Sequence, residues 1–411
     1  MDHQKIISLL GRINEIISPI EHETDLDRDR YALLKGDSLF SGNLGLVIYH
    51  MNYYTIFNDS SSKDRSLNLL QDILYRVEEG TSTLSNYTLS YGLSGLGIVI
   101  NQLISEQFID DGDIDLGNLD ELIYEWIIDR IKNNDSEFMH GAFGAIMYLS
   151  TNSKNTTIST LKFEELVKLL MSKSITSDQE GVYFDLFNKF IPEYPKNTIN
   201  LSLSHGLSGI LVILLNLIDK GLIGEAYKNL AYDIAKYLNG KIEDVNFEKK
   251  IYCHADSVVS PDIKGRRNTR LAWCYGDLNQ VMAFLRMGQT FQDQYYLSLS
   301  HKIGLTTTYR KDFEQTYISD SQFCHGTSGM VEIYRYLYEQ TSISEYLDAK
   351  NYWLNKTVEY IETELDSGYY TEKKRTAELL EGLIGVALVL LSEVGKSQDQ
   401  KLSWNNIFLL N

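Results

Sequence analysis

Two cysteines and a histidine are the residues best suited to chemistry: Cys274 in RLAWCYGD (270–277), and the adjacent Cys324 and His325 in FCHGTSG (323–329). Two thiolates and an imidazole are soft donors of the kind zinc takes when a fourth position is kept open for substrate or water. Three cysteines are too few, and odd in number, for a disulfide framework, so free thiols or metal ligands are the better reading. The third, Cys253, also touches a histidine, His254, but no glycine pair or apolar run follows them, and they read as ordinary loop residues. His205 in SHGLSG (204–209) precedes a glycine as His325 does, and His140 has the same setting before Gly141. A histidine near its ordinary pKa takes and returns protons at neutral pH, so His205 is a candidate acid or base and His140 a competitor for that role. Tyr275 could donate a hydrogen bond to a developing oxyanion, and Arg270 could do so more strongly.

These residues can act together only if distant parts of the chain are brought to one place, and a repeat supplies the means. A G-x-x-G pair recurs ahead of an apolar run: Gly42/Gly45, Gly92/Gly95, Gly141/Gly144, Gly206/Gly209, Gly326/Gly329 and Gly382/Gly385. A further copy at Gly276 carries Asn279 in place of the second glycine, which makes seven units. First glycines are spaced by 50, 49, 65, 70, 50 and 56 residues, room for two helices and their loops. Runs after the glycines are apolar nearly all round, as buried helices are; between them lie amphipathic segments at 67–77, 120–132, 163–173 and 350–365. The pattern predicts an all-α double ring, seven buried inner helices and an outer layer, in one domain spanning 1–411 with no linker. Glycines at each inner-helix start let backbones approach closely and leave free N–H groups at one common rim, which is where Cys274, Cys324, His325 and His205 all fall. Two stretches fit the repeat poorly, 176–198 and 245–268, and are expected to be loop insertions over one face. The second holds a local basic cluster, Lys264, Arg266 and Arg267.

Composition narrows the partners. A net charge of -18, from 38 basic and 56 acidic side chains, repels a phosphate backbone and leaves no basic stripe for nucleic acid. The longest apolar runs, such as GILVILLNLI (209–218), fall short of the roughly 20 residues a membrane-spanning helix needs. The N-terminal stretch lacks the basic start, apolar centre and cleavage site of a secretion signal, so a cytoplasmic protein is expected.

RLAWCYGD, FCHGTSG and SHGLSG on seven glycine turns resemble the lanthionine synthetase C-like cyclases, over the whole chain. The resemblance implies an α/α toroid of seven inner and seven outer helices with zinc at the rim, held by Cys274, Cys324 and His325. It places His205, Tyr275 and Arg270 at the active site, the histidine as the main acid/base candidate and the other two assisting. Bacterial members typically carry an aspartate four residues before the third first-glycine, implicated in orienting that histidine. Here the position is Glu137, and Asp135 lies two residues earlier as a second candidate partner. The implied reaction adds a peptide cysteine thiolate to a dehydroalanine or dehydrobutyrine, closing a thioether ring. It implies a dehydrated precursor peptide as substrate and a separate dehydratase acting first, with no redox or nucleotide cofactor. A LanC-like protein that adds glutathione or another small thiol is the alternative on the same scaffold. A protein prenyltransferase type would need an Asp ligand and a basic diphosphate pocket, and a peptide-binding scaffold with structural zinc would ordinarily use four protein ligands.

Overall fold

The computed structural model describes residues 3–22, 36–151, 158–177, 180–185, 198–246, 251–254, 257–259, 270–372 and 375–410. Each of the seven predicted apolar runs is a helix that starts directly after its first glycine. They are Asn43–Phe57, Leu93–Ser105, Ala142–Thr151, Leu207–Asp219, Asp277–Phe291, Thr327–Thr341 and Leu383–Lys396. Burial of these helices is nearly complete; Leu207 to Leu217, for example, is buried at every position. The amphipathic segments are helices too, starting earlier than periodicity alone gives, the third also ending two residues sooner: Ser60–Glu78, Gly117–Lys132, Thr160–Met171 and Ser344–Ser367. Their ends carry ordinary signals, such as Asp59 accepting from the N–H groups of Ser61 and Ser62.

The chain forms two compact units, 115–317 and a second built from 1–114 with 318–411. In the first, the inner helices Ala142–Thr151, Leu207–Asp219 and Asp277–Phe291 pack in sequence order, with Gly117–Lys132, Lys228–Gly240 and Gln294–Thr307 outside them. In the second, Thr327–Thr341 packs on Leu383–Lys396, which packs on Asn43–Phe57, and that on Leu93–Ser105. The N-terminal helix His3–His22 lies against Leu383–Lys396 and Ser344–Ser367.

One loop closure recurs ahead of four of the seven inner helices. The carbonyl six residues before the first glycine accepts the N–H of the first helical residue, as in Asn43 to Gly36 (3.0 Å), Leu93 to Asn86 (2.9 Å), Ala142 to Asp135 (3.0 Å) and Thr327 to Asp320 (3.0 Å). Three residues before the glycine a fully buried apolar side chain plugs the loop into the core: Leu39, Leu89, Phe138, Leu203, Trp273, Phe323 and Leu379. Truncating such a plug would cost about 2–5 kcal/mol. The second glycine exists because the plug's carbonyl passes it; a Cβ on Gly209 would lie 2.2 Å from Leu203 O, and one on Gly329 2.0 Å from Phe323 O.

The fifth turn solves the same problem differently. Gly276 sits at φ 107°, a region closed to other residues, and Asn279 uses its side chain to donate to the plug carbonyl of Trp273 at 2.9 Å. Asp277, buried at the helix start, pairs with Arg310.

The two expected loop insertions contain short antiparallel strand pairs rather than loops alone. Ser174–Ser177 pairs with Gly181–Phe184, Thr198–Asn200 with Ser257–Val259, and Ile242–Asn246 with Ile251–His254. Short extended runs such as SITS (174–177) and IYCH (251–254) satisfy their backbone groups by pairing, a signal outweighed in the sequence by nearby turn residues. Cys253 and His254 lie on the strand Ile251–His254. Lys264, Arg266 and Arg267 lie outside the described residues.

Candidate active site

Turns three, four and five of the unit 115–317 place Glu137, His140, His205, Cys274 and Tyr275 at successive inner-helix starts. Turn four is built around Asn200, whose Oδ1 accepts the N–H of Ser202 at 2.9 Å, while Ser202 Oγ accepts that of His205 at 3.1 Å. Turns four and five are stapled together. Ser204 Oγ donates to Cys274 O (3.1 Å), Leu203 N donates to Asn279 Oδ1 (2.8 Å), and Gln280 Nε2 donates to Leu201 O (3.0 Å). His205 and Tyr275 therefore stand side by side, ring centroids 6.2 Å apart, with Asn200 Nδ2 donating to Tyr275 Oη at 3.4 Å. Arg270, half-buried, begins the segment that leads into turn five, and its neighbour Leu271 donates its N–H to Thr316 O at 3.1 Å.

Glu137 partners His205. Its buried carboxylate accepts from His205 Nδ1 at 2.9 Å, from the Met139 N–H at 2.8 Å and from the His140 N–H. Asp135, the other candidate, faces Arg130 instead at 3.4 Å. The longer Glu side chain reaches across to turn four while its oxygens still cap turn three.

This geometry sets the charges. Burial works against an imidazolium at His205, but the Glu137 charge and hydrogen bond, with a smaller share from Cys274, outweigh it and hold the His205 pKa above its ordinary value. Burial likewise opposes a charged Glu137, yet the charge and hydrogen bond of His205, then His140 and the Met139 N–H, hold it below the usual carboxylate range. His140 goes the other way, because burial and the His205 charge outweigh the pull of Glu137. His205 Nδ1 is committed to Glu137, which leaves Nε2 as the atom for chemistry. Polar atoms of Glu137, His140 and His205 lie within 4.8 Å of one another, a spacing a metal could bridge. The Glu137 oxygens already accept three N–H groups, so the cluster suits proton transfer better.

Turn six, in the other unit, carries Cys324 and His325. Cys324 is buried, with its N–H donated to Leu380 O at 2.8 Å. His325 is half-buried, its Nε2 3.1 Å from the amide nitrogen of Gln322, which also donates to Asp320 Oδ2 at 2.6 Å. Tyr369 Oη donates to the same carboxylate oxygen at 3.0 Å. Cys274 and Cys324 are both buried, and neither is in a disulfide.

Sequence reasoning passed over Asn200, Ser202, Gln322 and the bridging role of Asn279. A signal was present: a residue able to form an Asx turn recurs six positions before the first glycine, as Asn86, Asp135, Asn200 and Asp320.

The family description "Lanthionine synthetase C-like protein" matches residues 34–409. The chain belongs to this family. A nisin biosynthesis protein, NisC, from Lactococcus lactis subsp. lactis is 24% identical over 408 residues, covering 92% of this chain and 90% of that one. A solved structure of nisin cyclase superposes with a TM-score of 0.73 and 19% identity, covering 97% of this chain and 96% of that one. The fold class is thereby the all-α toroid of the lanthionine synthetase C-like proteins. No helix among the described residues is long and apolar enough to cross a membrane.

Proposed function

We propose that this chain is a zinc-dependent lanthipeptide cyclase that adds cysteine thiolates of a dehydrated precursor peptide to dehydroalanine or dehydrobutyrine, forming lanthionine and methyllanthionine rings. Family membership and the likeness to proteins named for nisin biosynthesis and nisin cyclase supply the reaction class. The observation that carries the reading is the Glu137–His205 couple, in which the carboxylate strengthens the histidine's hold on its proton and takes Nδ1, with Nε2 left for substrate.

Cys274, Cys324 and His325 would hold the ion. Their donor set fits: two buried thiols outside any disulfide and an imidazole are the kind of three-ligand set a catalytic zinc takes. A bound zinc ion would supply a deprotonated substrate thiol at neutral pH. Arg270 and Tyr275 are hydrogen-bond donors for the enolate oxygen that develops as sulfur attacks the β-carbon. His205 Nε2 then delivers its proton to Cα, and Glu137 keeps the ring oriented and stabilises its positive charge before transfer.

The substrate must arrive with its dehydroamino acids already made. We read the dehydrating enzyme as a separate chain and the shared compartment as the cytoplasm. The family match runs through residues of both compact units, which supports reading 1–411 as one domain.

The test is to incubate the zinc-loaded protein with a dehydrated precursor and then alkylate. Cyclisation leaves the peptide mass unchanged and removes its alkylatable thiols. Retained thiols together with a mass gain of one glutathione, when glutathione is supplied, would replace this reading with the small-thiol alternative.

A further inference from the structure

Thiol addition to a dehydroamino acid is proton-neutral overall, yet its two proton events happen at different atoms. The substrate sulfur loses a proton before it attacks, and Cα gains one afterwards. His205 can supply the second proton, but a group holding its proton as firmly as the Glu137-bound imidazolium is poorly suited to take the first. The catalytic cycle therefore lacks a base, and His205 must be reprotonated each turn.

We propose that His140 is that base: it accepts the proton released by the substrate thiol and returns it to His205 after the ring closes. The inference rests on the cyclase reading. His140 precedes the first glycine of turn three as His205 does that of turn four, so both side chains leave the same position of the same loop design. Their rings lie nearly parallel, 24° apart, with centroids separated by 5.6 Å. The polar atoms of His140, His205 and Glu137 fall within 4.8 Å of one another, a gap that one bridging water closes. The backbone of His140 is pinned by the carboxylate oxygen of Glu137, which ties both histidines to one anion. His140 is half-buried rather than sealed in the core.

The opposed proton affinities agree with this division. Glu137 raises the affinity of His205 for its proton, while burial and the neighbouring His205 charge lower that of His140. The balance is complete. The S–H bond breaks with its proton passing to His140; the sulfur pair forms the S–Cβ bond; the π pair moves toward the carbonyl oxygen. The N–H bond at His205 Nε2 then breaks as Cα is protonated and the enolate collapses to the amide. Transfer from the His140 imidazolium to neutral His205 restores the starting state, with no net proton gained or lost. No oxidant, reductant or further reactant is needed.

The experiment compares two synthetic dehydrated peptides, one with cysteine and one with selenocysteine at the reacting position, on zinc-loaded wild type, His140→Gln and His205→Asn. A selenol is already ionised at neutral pH and needs no base. His140→Gln should slow the cysteine peptide about a hundredfold, the lower end of what a positioned base contributes. It should recover most of that rate with selenocysteine. His205→Asn should be slow with both. Equal losses for the two peptides in His140→Gln would show a structural role and overturn the proposal, as would no loss at all. If His140→Gln proves misfolded by circular dichroism or zinc content, 15N-histidine spectra of the wild type decide instead. A neutral His140 beside a charged His205 supports the pair, and a charged His140 at neutral pH refutes it. Failure of the wild type to cyclise either peptide would count against the cyclase reading itself and is separable from every outcome above.

Discussion

His205 and His325 occupy the same position in two turns of the same design, and they differ in what their rings lean on. His205 rests on the buried carboxylate of Glu137, whereas His325 rests on the neutral amide of Gln322, itself held by Asp320. A counter-charge favours imidazolium and makes a proton donor. A neutral partner offers no such counter-charge and leaves a ring suited to a cation. On the proposed reading, one loop thus yields an acid or a ligand according to its outer partner.

Five substitutions would break or sharpen that contrast. Cys324→Ala, like Cys274→Ala, should abolish both zinc retention and cyclisation while helical circular dichroism is preserved; zinc still bound stoichiometrically after dialysis would remove the ligand assignment. His205→Asn should keep zinc yet lower kcat by roughly a thousandfold, within the range for a lost general acid. Metal analysis beside single-turnover kinetics separates those two outcomes, and loss of zinc in His205→Asn would erase the difference between the histidines.

Glu137→Gln keeps the hydrogen-bonding shape but removes the charge. His205 should then titrate lower, so the alkaline fall in kcat should move to lower pH with zinc content unchanged. Stability has two edges. The His205 share is fully present below its ordinary value of 6.5 and is lost as pH rises through its raised folded value. The Glu137 share is present above its ordinary 4.5 and is lost as pH falls through its depressed folded value. The gap in melting temperature between wild type and variant should therefore be widest between those edges and narrow on either side; a pH-independent gap would show that the charge is not what matters. Gln322→Ala, the mildest, should weaken zinc by about tenfold, as loss of an outer partner of a ligating histidine does. Competition with a chromophoric chelator measures it, and unchanged affinity would make Gln322 a packing residue only.

Much of this was legible before any coordinates. Glycine spacing located all seven inner-helix starts, because a close backbone passage tolerates few alternatives and so leaves a fixed mark. Residues that touch metal or proton announce themselves by type. The supporting layer was harder, since Asn200, Ser202 and Gln322 are common polar residues whose value comes only from the loop geometry around them. Asn279 looked like an irregularity, and only the position of the Trp273 carbonyl shows that it replaces a missing glycine with a hydrogen bond. Glu137 against Asp135 could not be settled from spacing, because both carboxylates lie in one tight turn and the answer depends on the direction each side chain takes. The strand pairs were hidden for a similar reason, their partners being up to about sixty residues apart, as with Asn200 and Ser257.

The buried plug three residues before each first glycine has a consequence for how such a protein can change. Because the plug and the closing carbonyl fix each loop, the position one residue before the glycine carries little of the fold's weight. It reads Tyr91, an exposed side chain, in turn two and His205 in turn four. Turn two is in that sense a blank tool-holder. A new reactive group could be fitted there, or a lineage could retool one turn at a time, without first inventing a new scaffold.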